Sequence, residues 1–388
     1  MINQTELLEK NIKIGIASTP EEKMEIYRFR YHIYAEEIGF KLVSVDHNRK
    51  LLYDELDEWG LLLYAKLGNK IVGTGRVNIG QFAAFPPEVA KAFRMEKFKD
   101  FYKETDNYNF AYASKGMIAP AYRSSPVHNL LMATVNQLYY DNQVQFAFIN
   151  CNFHLIPLHE HYGSRRLRKN ILDPNLGPMA SFVLLVNDVQ YLGKIRSPFF
   201  SLTHNRKTLN SQKSVEWFYK EFAEILNSTV NSQLVTPDKL WAILCGHLGD
   251  KPNKLIAILH GLSAAEAKQF LHYCGIIVQC DAGDYITSHN DVSQELNILL
   301  SGKVQPVSTL PGQHLGQIGL VNRTRHTENI IAATAAEILV LSFHYFRKFR
   351  LISPSIATKI LKNYQRLSMP YETTLQVTGD FNFLEVEG

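Results

Sequence analysis

The chain has 388 residues, of which 46% are hydrophobic and 20% charged. That length suggests two or three domains, and the balance excludes a mainly disordered chain. Forty-one Lys+Arg against 37 Asp+Glu give a net charge of +4, too mild for general nucleic-acid binding, so no nucleic-acid partner is expected. The cysteines Cys151, Cys245, Cys274 and Cys280 form neither a CxxC pair nor a dense disulfide framework. They read as free thiols of a reducing compartment. The first fifteen residues are polar and lack the apolar core of a signal peptide. No stretch approaches the roughly 18 apolar residues of a membrane span. The expectation is a soluble, cytoplasmic protein.

The first half alternates helices and strands. Residues 20–38 place Met24, Tyr27, Tyr31 and Tyr34 at helical spacing behind Pro20. LLLYAKL, the turn Gly68-Asn69 and KIVGTGRV predict a hairpin. Residues 86–104 read as helical, 111–119 as a strand, 126–141 as a helix, 145–151 as a buried strand, 153–163 as a short helix and 179–187 as a strong strand. The pattern is that of an α/β layered domain. Residues 194–214 are polar and basic and read as a linker. Residues 215–230 and 236–248 read as two helices. From about 255 the pattern becomes short strands with turn signals, which predicts a small antiparallel sandwich or barrel. Residues 343–367 close the chain as a helical pair around Pro354.

The run Arg30-Tyr-His-Ile-Tyr34-Ala-Glu-Glu-Ile-Gly-Phe40 is followed by Asp54-Glu-Leu-Asp57 and by a hairpin ending Gly73-Thr-Gly-Arg76-Val. In order and spacing, Arg30, Tyr34, Phe40, Asp54, Asp57 and Arg76 resemble the acyl-homoserine lactone synthases and N-acyl amino acid synthases. The resemblance covers about residues 20–190. It implies a GNAT acyltransferase fold, with Arg30, Asp54, Asp57 and Arg76 among the catalytic residues. That family carries Glu and Arg around a Ser on the next strand, whereas this chain reads Tyr112-Ala-Ser114-Lys115. The difference favours a broader N-acyltransferase over lactone formation.

Thioester-to-amine transfer needs an open strand edge for the donor's pantetheine arm, donors for its phosphates and a group for the developing oxyanion. The resemblance places a phosphate loop at Ile118, Arg123, Ser124 and Ser125. Pro126 lacks an N–H there, and the His128 side chain crowds the backbone. An acyl carrier protein therefore fits as donor at least as well as acyl-CoA. His159 holds the place of a family Tyr that protonates the leaving thiolate, and its ordinary pKa suits an acid; it equally reads as a helix-surface histidine. Arg30 with Asp54 or Asp57 also reads as a structural ion pair. Phe82, Phe85, Phe93, Phe98, Phe101 and Tyr102 read as core. Cys151, His154, His159 and His161 match no standard zinc spacing, so no metal is expected. The basic run Arg165-Arg166-Leu-Arg168-Lys169 reads as a dock for an acidic carrier protein or a phosphate, or as a solvated face.

Residues 255–365 resemble a cyclic nucleotide-binding domain. The matching segments are Leu259-His-Gly-Leu262-Ser263, Ala282-Gly283-Asp284-Tyr-Ile286, Ile298-Leu-Leu-Ser-Gly302-Lys-Val304 and His314-Leu-Gly316-Gln317-Ile318-Gly319-Leu320. The resemblance implies a nucleotide site at Gly316, Gln317, Ile318, Arg325, His326 and Thr327, with cAMP as ligand. Gln317 stands at the family's Glu position. In the register that better fits the next strand, His326 replaces the phosphate-binding Arg and Glu328 adds a repulsive charge.

The reading is an α/β GNAT-like acyltransferase domain at 1–196, a linker with connecting helices at 197–250, and a mostly β cyclic nucleotide-binding-like barrel with flanking helices at 251–370. A tail follows at 371–388. The expected activity is acyl transfer from acyl-ACP or acyl-CoA to a small amino acid-like amine, regulated by a cyclic nucleotide, with homo-oligomerisation left open. The alternatives are a cyclic-nucleotide-regulated protein-lysine acetyltransferase and a non-catalytic sensor or interaction protein with degenerate sites.

Overall fold

A computed structural model describes residues 11–43, 45–103, 108–204, 206 and 211–368. The expected tail at 371–388 and part of the expected linker lie outside them. Strand β1 (Ile12–Ile16) leads to helix α1 (Pro20–Tyr31), which a capping box between Thr19 and Glu22 starts. A π-helical stretch continues it over His32–Ile38. The expected hairpin forms as β2 (Leu61–Leu67) and β3 (Lys70–Gly80), turning at Gly68 with φ +59°. Helices α2 (Pro87–Ala92) and α3 (Met95–Lys99) precede β4 (Phe110–Ile118), α4 (Val127–Asp141), β5 (Phe146–Asn152) and α5 (Ile156–Tyr162). The short strands β6 (Arg165–Arg166) and β7 (Ile171–Asp173) come before β8 (Gly177–Leu185).

These eight strands form one sheet in the order β1-β2-β3-β4-β5-β8-β6, with β7 beside β8. Only β4 and β5 run parallel; the other neighbours are antiparallel. Successive β4 side chains alternate between the two faces. Ala111 joins the core under α4, with Leu63, Val72, Val77, Val127 and Leu131. Phe110 and Tyr112 join the aromatic core with Phe93, Phe98, Phe146 and Phe148. Of the aromatics expected to be core, Phe85, Phe93, Phe98 and Tyr102 are buried there, and Phe82 and Phe101 pack partly buried against them.

Helices α6 (Val189–Lys194), α7 (Phe200–Thr203), α8 (Ser211–Glu221) and α9 (Ala223–Ser228) follow. Phe222 stacks on Phe98, so the expected connecting helices pack on the aromatic face instead of hanging free. The second unit opens with α10 (Pro237–Leu248), α11 (Pro252–Leu255) and α12 (Ala264–Cys274). The resemblance implies an entry helix at residues 259–263; the helix lies just beyond it as α12, so the strands expected from about 255 begin at Gly275. The start of α12 is written in the sequence, because Ser263 and Glu266 form a capping box.

The β-rich segment follows as β9 (Gly275–Cys280), β10 (Tyr285–Thr287), β11 (Val292–Ser293), β12 (Glu295–Ser301), β13 (Val304–Gln305), β14 (His314–Leu315), β15 (Thr324–Arg325), β16 (Ile330–Ala332) and β17 (Ala336–Ser342). These strands make separate sheets, β14-β12-β17-β9, β10-β16-β13 and β11-β15, and not a closed barrel among the described residues. The expected helical pair forms as α13 (Phe343–Ile352) and α14 (Pro354–Ser368). No helix among the described residues is long and apolar enough to cross a membrane.

The two units share a core. Cys151, Phe153, Ile156, Ala180 and Phe182 pack with Ile276, Val278, Leu299, Ile338 and Val340. Within the basic run at 165–169, Arg165 and Arg166 are buried and supply polar cement, while Arg168 is partly exposed and Lys169 is exposed. Buried Arg165 pairs with Asp188 and lies 3.7 Å over the Tyr191 ring. Arg166 donates to the Ile277 carbonyl at 2.6 Å, to the Val230 carbonyl at 2.8 Å and to Glu160 at 2.8 Å. Arg168 reaches Asp281 at 3.1 Å.

Candidate active site

Strands β4 and β5 begin as neighbours and then part. Their ladder pairs Phe110 with Phe146, Ala111 with Ala147, Tyr112 with Phe148 and Ala113 with Ile149, and stops there. On its other side β4 stays on β3, with Arg76 opposite Ser114, Thr74 opposite Met117 and Gly73 opposite Ile118. The register shifts between Thr74 and Arg76, so Lys115 and Gly116 bulge against Gly75. Lys115 takes φ +54°, and a Cβ added at Gly116 or Gly75 would meet nothing within 4 Å. Bulge and parting together open the edge Ser114–Ile118 to a cavity of about 700 Å³, bordered by 113–118 on one side and 149–152 on the other. That size suits a substantial ligand.

A charged cluster stands at the rim. Arg76 Nη1 pairs with Asp54 and lies 3.0 Å from Asp57 Oδ1. Arg76 Nε donates to Ser114 Oγ at 3.0 Å, and Lys115 Nζ lies 3.2 Å from Asp54 Oδ2. Arg30 Nη1 donates to Asp57 Oδ1 at 2.8 Å. Burial pushes the Asp54 carboxyl up, but Lys115 and then Arg76 outweigh it and hold the pKa at about 2. The four sequence-predicted residues therefore come together in two tiers. Asp54, Arg76, Ser114 and Lys115 border the cavity, while Arg30 and Asp57, 0% and 2% exposed, stand behind them. The second tier is the structural ion pair that the sequence left open.

Deeper in the cavity, Tyr162 donates its phenol proton to Asn129 Oδ1 at 2.5 Å, and His128 Nδ1 lies 3.0 Å from the phenol oxygen. One phenol carries one proton, so with Asn129 as its acceptor His128 Nδ1 must be the donor. Burial raises the Tyr162 phenol, which stays protonated. The residue expected as acid, His159, borders the same cavity. Burial, with His128 nearby, lowers its pKa to about 3, so it is neutral near pH 7 and has no acidic proton to give. Tyr162 borders the same cavity and keeps its phenol proton. Burial also lowers His128 and His344 to about 4 each. Below about 6.5 an unfolded chain protonates these histidines while the folded one does not. Stability should therefore fall with pH from about 6.5 towards 4, and thermal unfolding across that range reads it. A flat midpoint would contradict the buried neutral state.

The expected phosphate loop also borders the cavity with Ile118, Arg123, Ser124 and Ser125. Several of its polar groups are already engaged. Arg123 donates to the Ile118 carbonyl at 3.1 Å and pairs with Glu37. The amides of Arg123 and Ser125 bond the carbonyls of Pro120 and Tyr122, and Ser125 Oγ accepts from the Val127 amide. Ser124 sits at φ +72°, and Pro126 precedes α4. This loop is a poor anion cradle.

The residues expected to hold a cyclic nucleotide do come together in the second unit, but their charge points elsewhere. Arg325 donates to the Asn290 carbonyl at 2.7 Å and to the Gly39 carbonyl of the first unit. Arg323 pairs with Glu37 at 2.7 Å. His326 is 4% exposed and accepts from the Gln317 amide at 3.2 Å. Gln317 Nε2 reaches Thr327 Oγ1 at 3.4 Å, and Ile318 lies in the core. At Gly316 a Cβ would come within 2.8 Å of the His326 ring. The cavity beside His326 and Glu295 measures about 10 Å³, room for about one water. Expected as phosphate ligands, Arg325 and His326 serve here as an interdomain clamp and a buried packing group. His154, weighed as a metal ligand, lies 3.0 Å from Glu295 across the same interface.

The sequence reading missed one wall of the large cavity. Phe343, His344, Arg347 and Lys348 of α13 border it, as do Gln294 and Arg323. The run Phe343-His-Tyr-Phe-Arg-Lys-Phe-Arg looks like any amphipathic helix, and only the shared core brings it over the first unit.

Residues 29–133 match the family model described as an acetyltransferase (GNAT) domain. A search of curated proteins returns no match. Among solved structures, the chain is similar to FeeM, an N-acyl amino acid synthase from uncultured soil microbes, at 12% identity over 50% of this chain and 98% of that one, with a TM-score of 0.39. It is also similar to BjaI, a CoA-dependent acyl-homoserine lactone synthase, at 19% identity over 48% and 90%, with a TM-score of 0.35. A cyclic nucleotide-binding domain from Methylobacillus flagellatus matches at 17% identity over 34% and 79%, with a TM-score of 0.29.

Proposed function

We propose that the acetyltransferase (GNAT) domain in the first half of this chain moves an acyl group from a pantetheine thioester, carried by coenzyme A or a carrier protein, to the amine of an amino acid-like acceptor. The observation that carries this reading is the end of the β4–β5 ladder at Ala113–Ile149, which opens a strand edge beside charged groups and a largely apolar cavity. The thioester arm lies along Ser114–Ile118. Its acyl chain runs among Ile33, Phe40, Leu63, Met117, Leu131 and Val135, where burial yields about 0.8 kcal/mol per methylene. The acceptor's carboxylate faces Arg76 and Lys115, and its ammonium faces Asp54.

The bound ammonium first gives a proton to solvent water, the neutral amine then attacks the thioester carbonyl, the carbon–sulfur bond breaks, and the thiolate takes the phenol proton of Tyr162. The proton released by the new amide nitrogen restores the phenol, so charge balances over the cycle. Mass spectrometry of lipid extracts from cells overexpressing the chain tests the reading. A new N-acyl amino acid should appear, and Asp54→Asn should lower it at least about tenfold through loss of a charged contact. Acetylated protein lysines instead would point to a protein acetyltransferase, and unchanged extracts would overturn the enzymatic reading.

The second unit acts, on this reading, as a rigid partner to the transferase site and not as a nucleotide sensor. Calorimetry with cAMP and cGMP at millimolar concentration should give no binding heat. Saturable heat abolished by His326→Ala would restore the regulatory reading.

A further inference from the structure

The proposed transfer needs a cation for the donor's phosphate, and the loop at 118–125 does not supply a free one. Arg123 is paired with Glu37, the loop amides are largely bonded within the loop, and Pro126 has none to give. Two other cations face the same cavity. Arg347 and Lys348 lie on α13, one turn beyond Phe343 and His344, and all four border the cavity. Among the described residues, no carboxylate lies within 4.0 Å of Arg347 or Lys348. Their recorded partners are rings, Phe343 at 5.8 Å from Arg347 and Tyr345 at 5.9 Å from Lys348. The Lys348 charge is felt at His128, on the first turn of α4. His344 feels Lys348, Arg123 and Arg347 together. Positive groups from both units thus converge on one cavity, and Glu37 is spent on Arg123 and Arg323. Such a rim repels itself when empty and gains from an anion.

We propose that Arg347 and Lys348 bind the phosphate of the donor's phosphopantetheine arm, so that the donor site is built from both units. This rests on the acyl-transfer reading. Coenzyme A and a holo carrier protein both present that phosphate, and the shared chemistry is what the rim recognises. It also gives the second unit a role that needs no nucleotide: its last strand β17 hands the chain into α13, which delivers the cations to a site on the first unit.

Calorimetry on the full chain tests this with pantetheine, 4′-phosphopantetheine, coenzyme A and a holo acyl carrier protein. The phosphate should tighten binding about tenfold or more over pantetheine, as expected for charge-assisted hydrogen bonds. Arg347→Gln and Lys348→Gln should each remove most of that gain and leave pantetheine binding unchanged, which also shows that the variants fold. Coenzyme A binding more tightly than the carrier protein, with the same sensitivity to both glutamines, supports the proposal and assigns the small-molecule donor. The reverse order with the same sensitivity supports it and assigns the carrier. Equal affinity for pantetheine and 4′-phosphopantetheine, or glutamine variants that bind the phosphorylated probe like the parent, overturns the proposal and leaves acyl transfer standing. Failure to bind any of the four overturns both.

Discussion

Asp57→Asn should cost about 3–5 kcal/mol of stability, the usual loss when one partner of a buried ion pair is removed. Asp57 Oδ1 is shared by Arg30 at 2.8 Å and Arg76 at 3.0 Å, and all three side chains are at most 2% exposed. Among the described residues Asp57 is the one carboxylate paired with Arg30, whose Nε and Nη2 are buried without hydrogen bonds and whose guanidinium otherwise faces the Tyr27 ring at 5.7 Å. Burial already depresses the Arg30 guanidinium, with Asp57 as its main support. The amide keeps the shape and loses the charge, leaving one guanidinium uncompensated and the other held by Asp54. Thermal unfolding should drop by roughly 10 °C for a unit of this size. Asp54→Asn should drop less, because Asp54 is 37% exposed and water replaces part of what is lost. A loss below about 1 kcal/mol for Asp57→Asn would show that the second tier is not a support.

Tyr162→Phe should lower kcat by about 10²–10⁴-fold, the range for removing a general acid. The phenol is 3% exposed, protonated, and held between His128 and Asn129, so its loss removes a proton and little volume. His159→Gln should change kcat less than about tenfold, because a neutral imidazole offers no acidic proton. Single-turnover kinetics with a thioester donor separate the two. A large effect at 159 with a small one at 162 would return the acid to the residue that the sequence pattern names.

The hairpin, the strands β4 and β5 and the closing helices were legible because each is a local pattern: a Gly-Asn turn, apolar runs, a proline between two amphipathic stretches. The cluster of Arg30, Asp54, Asp57 and Arg76 was legible as a set through the family resemblance. Its division into a rim and a support was not, because exposure to a cavity depends on where β4 and β5 part. Helix α12 could have been found, since Ser263-x-x-Glu266 is a local signal. The run at 165–169 could not: its partners Asp188, Val230, Ile277 and Asp281 come later in the chain, and nothing nearby distinguishes a buried arginine from a solvated one. The same holds for Arg347 and Lys348, whose part in the cavity exists only once Phe182 and Val340 share a core. The nucleotide residues show the converse. Their spacing was read from the resemblance, and the fold spends Arg323 and Arg325 on Glu37 and Gly39.

Amide hydrogen exchange with an unreactive thioether analogue of an acyl-phosphopantetheine tests the central claim most directly. The account predicts new protection at Ser114–Ile118, with a smaller effect at 149–152 across the gap, because the arm becomes the strand partner that β4 lacks there. Protection confined to other segments, or none at saturating analogue, would contradict it.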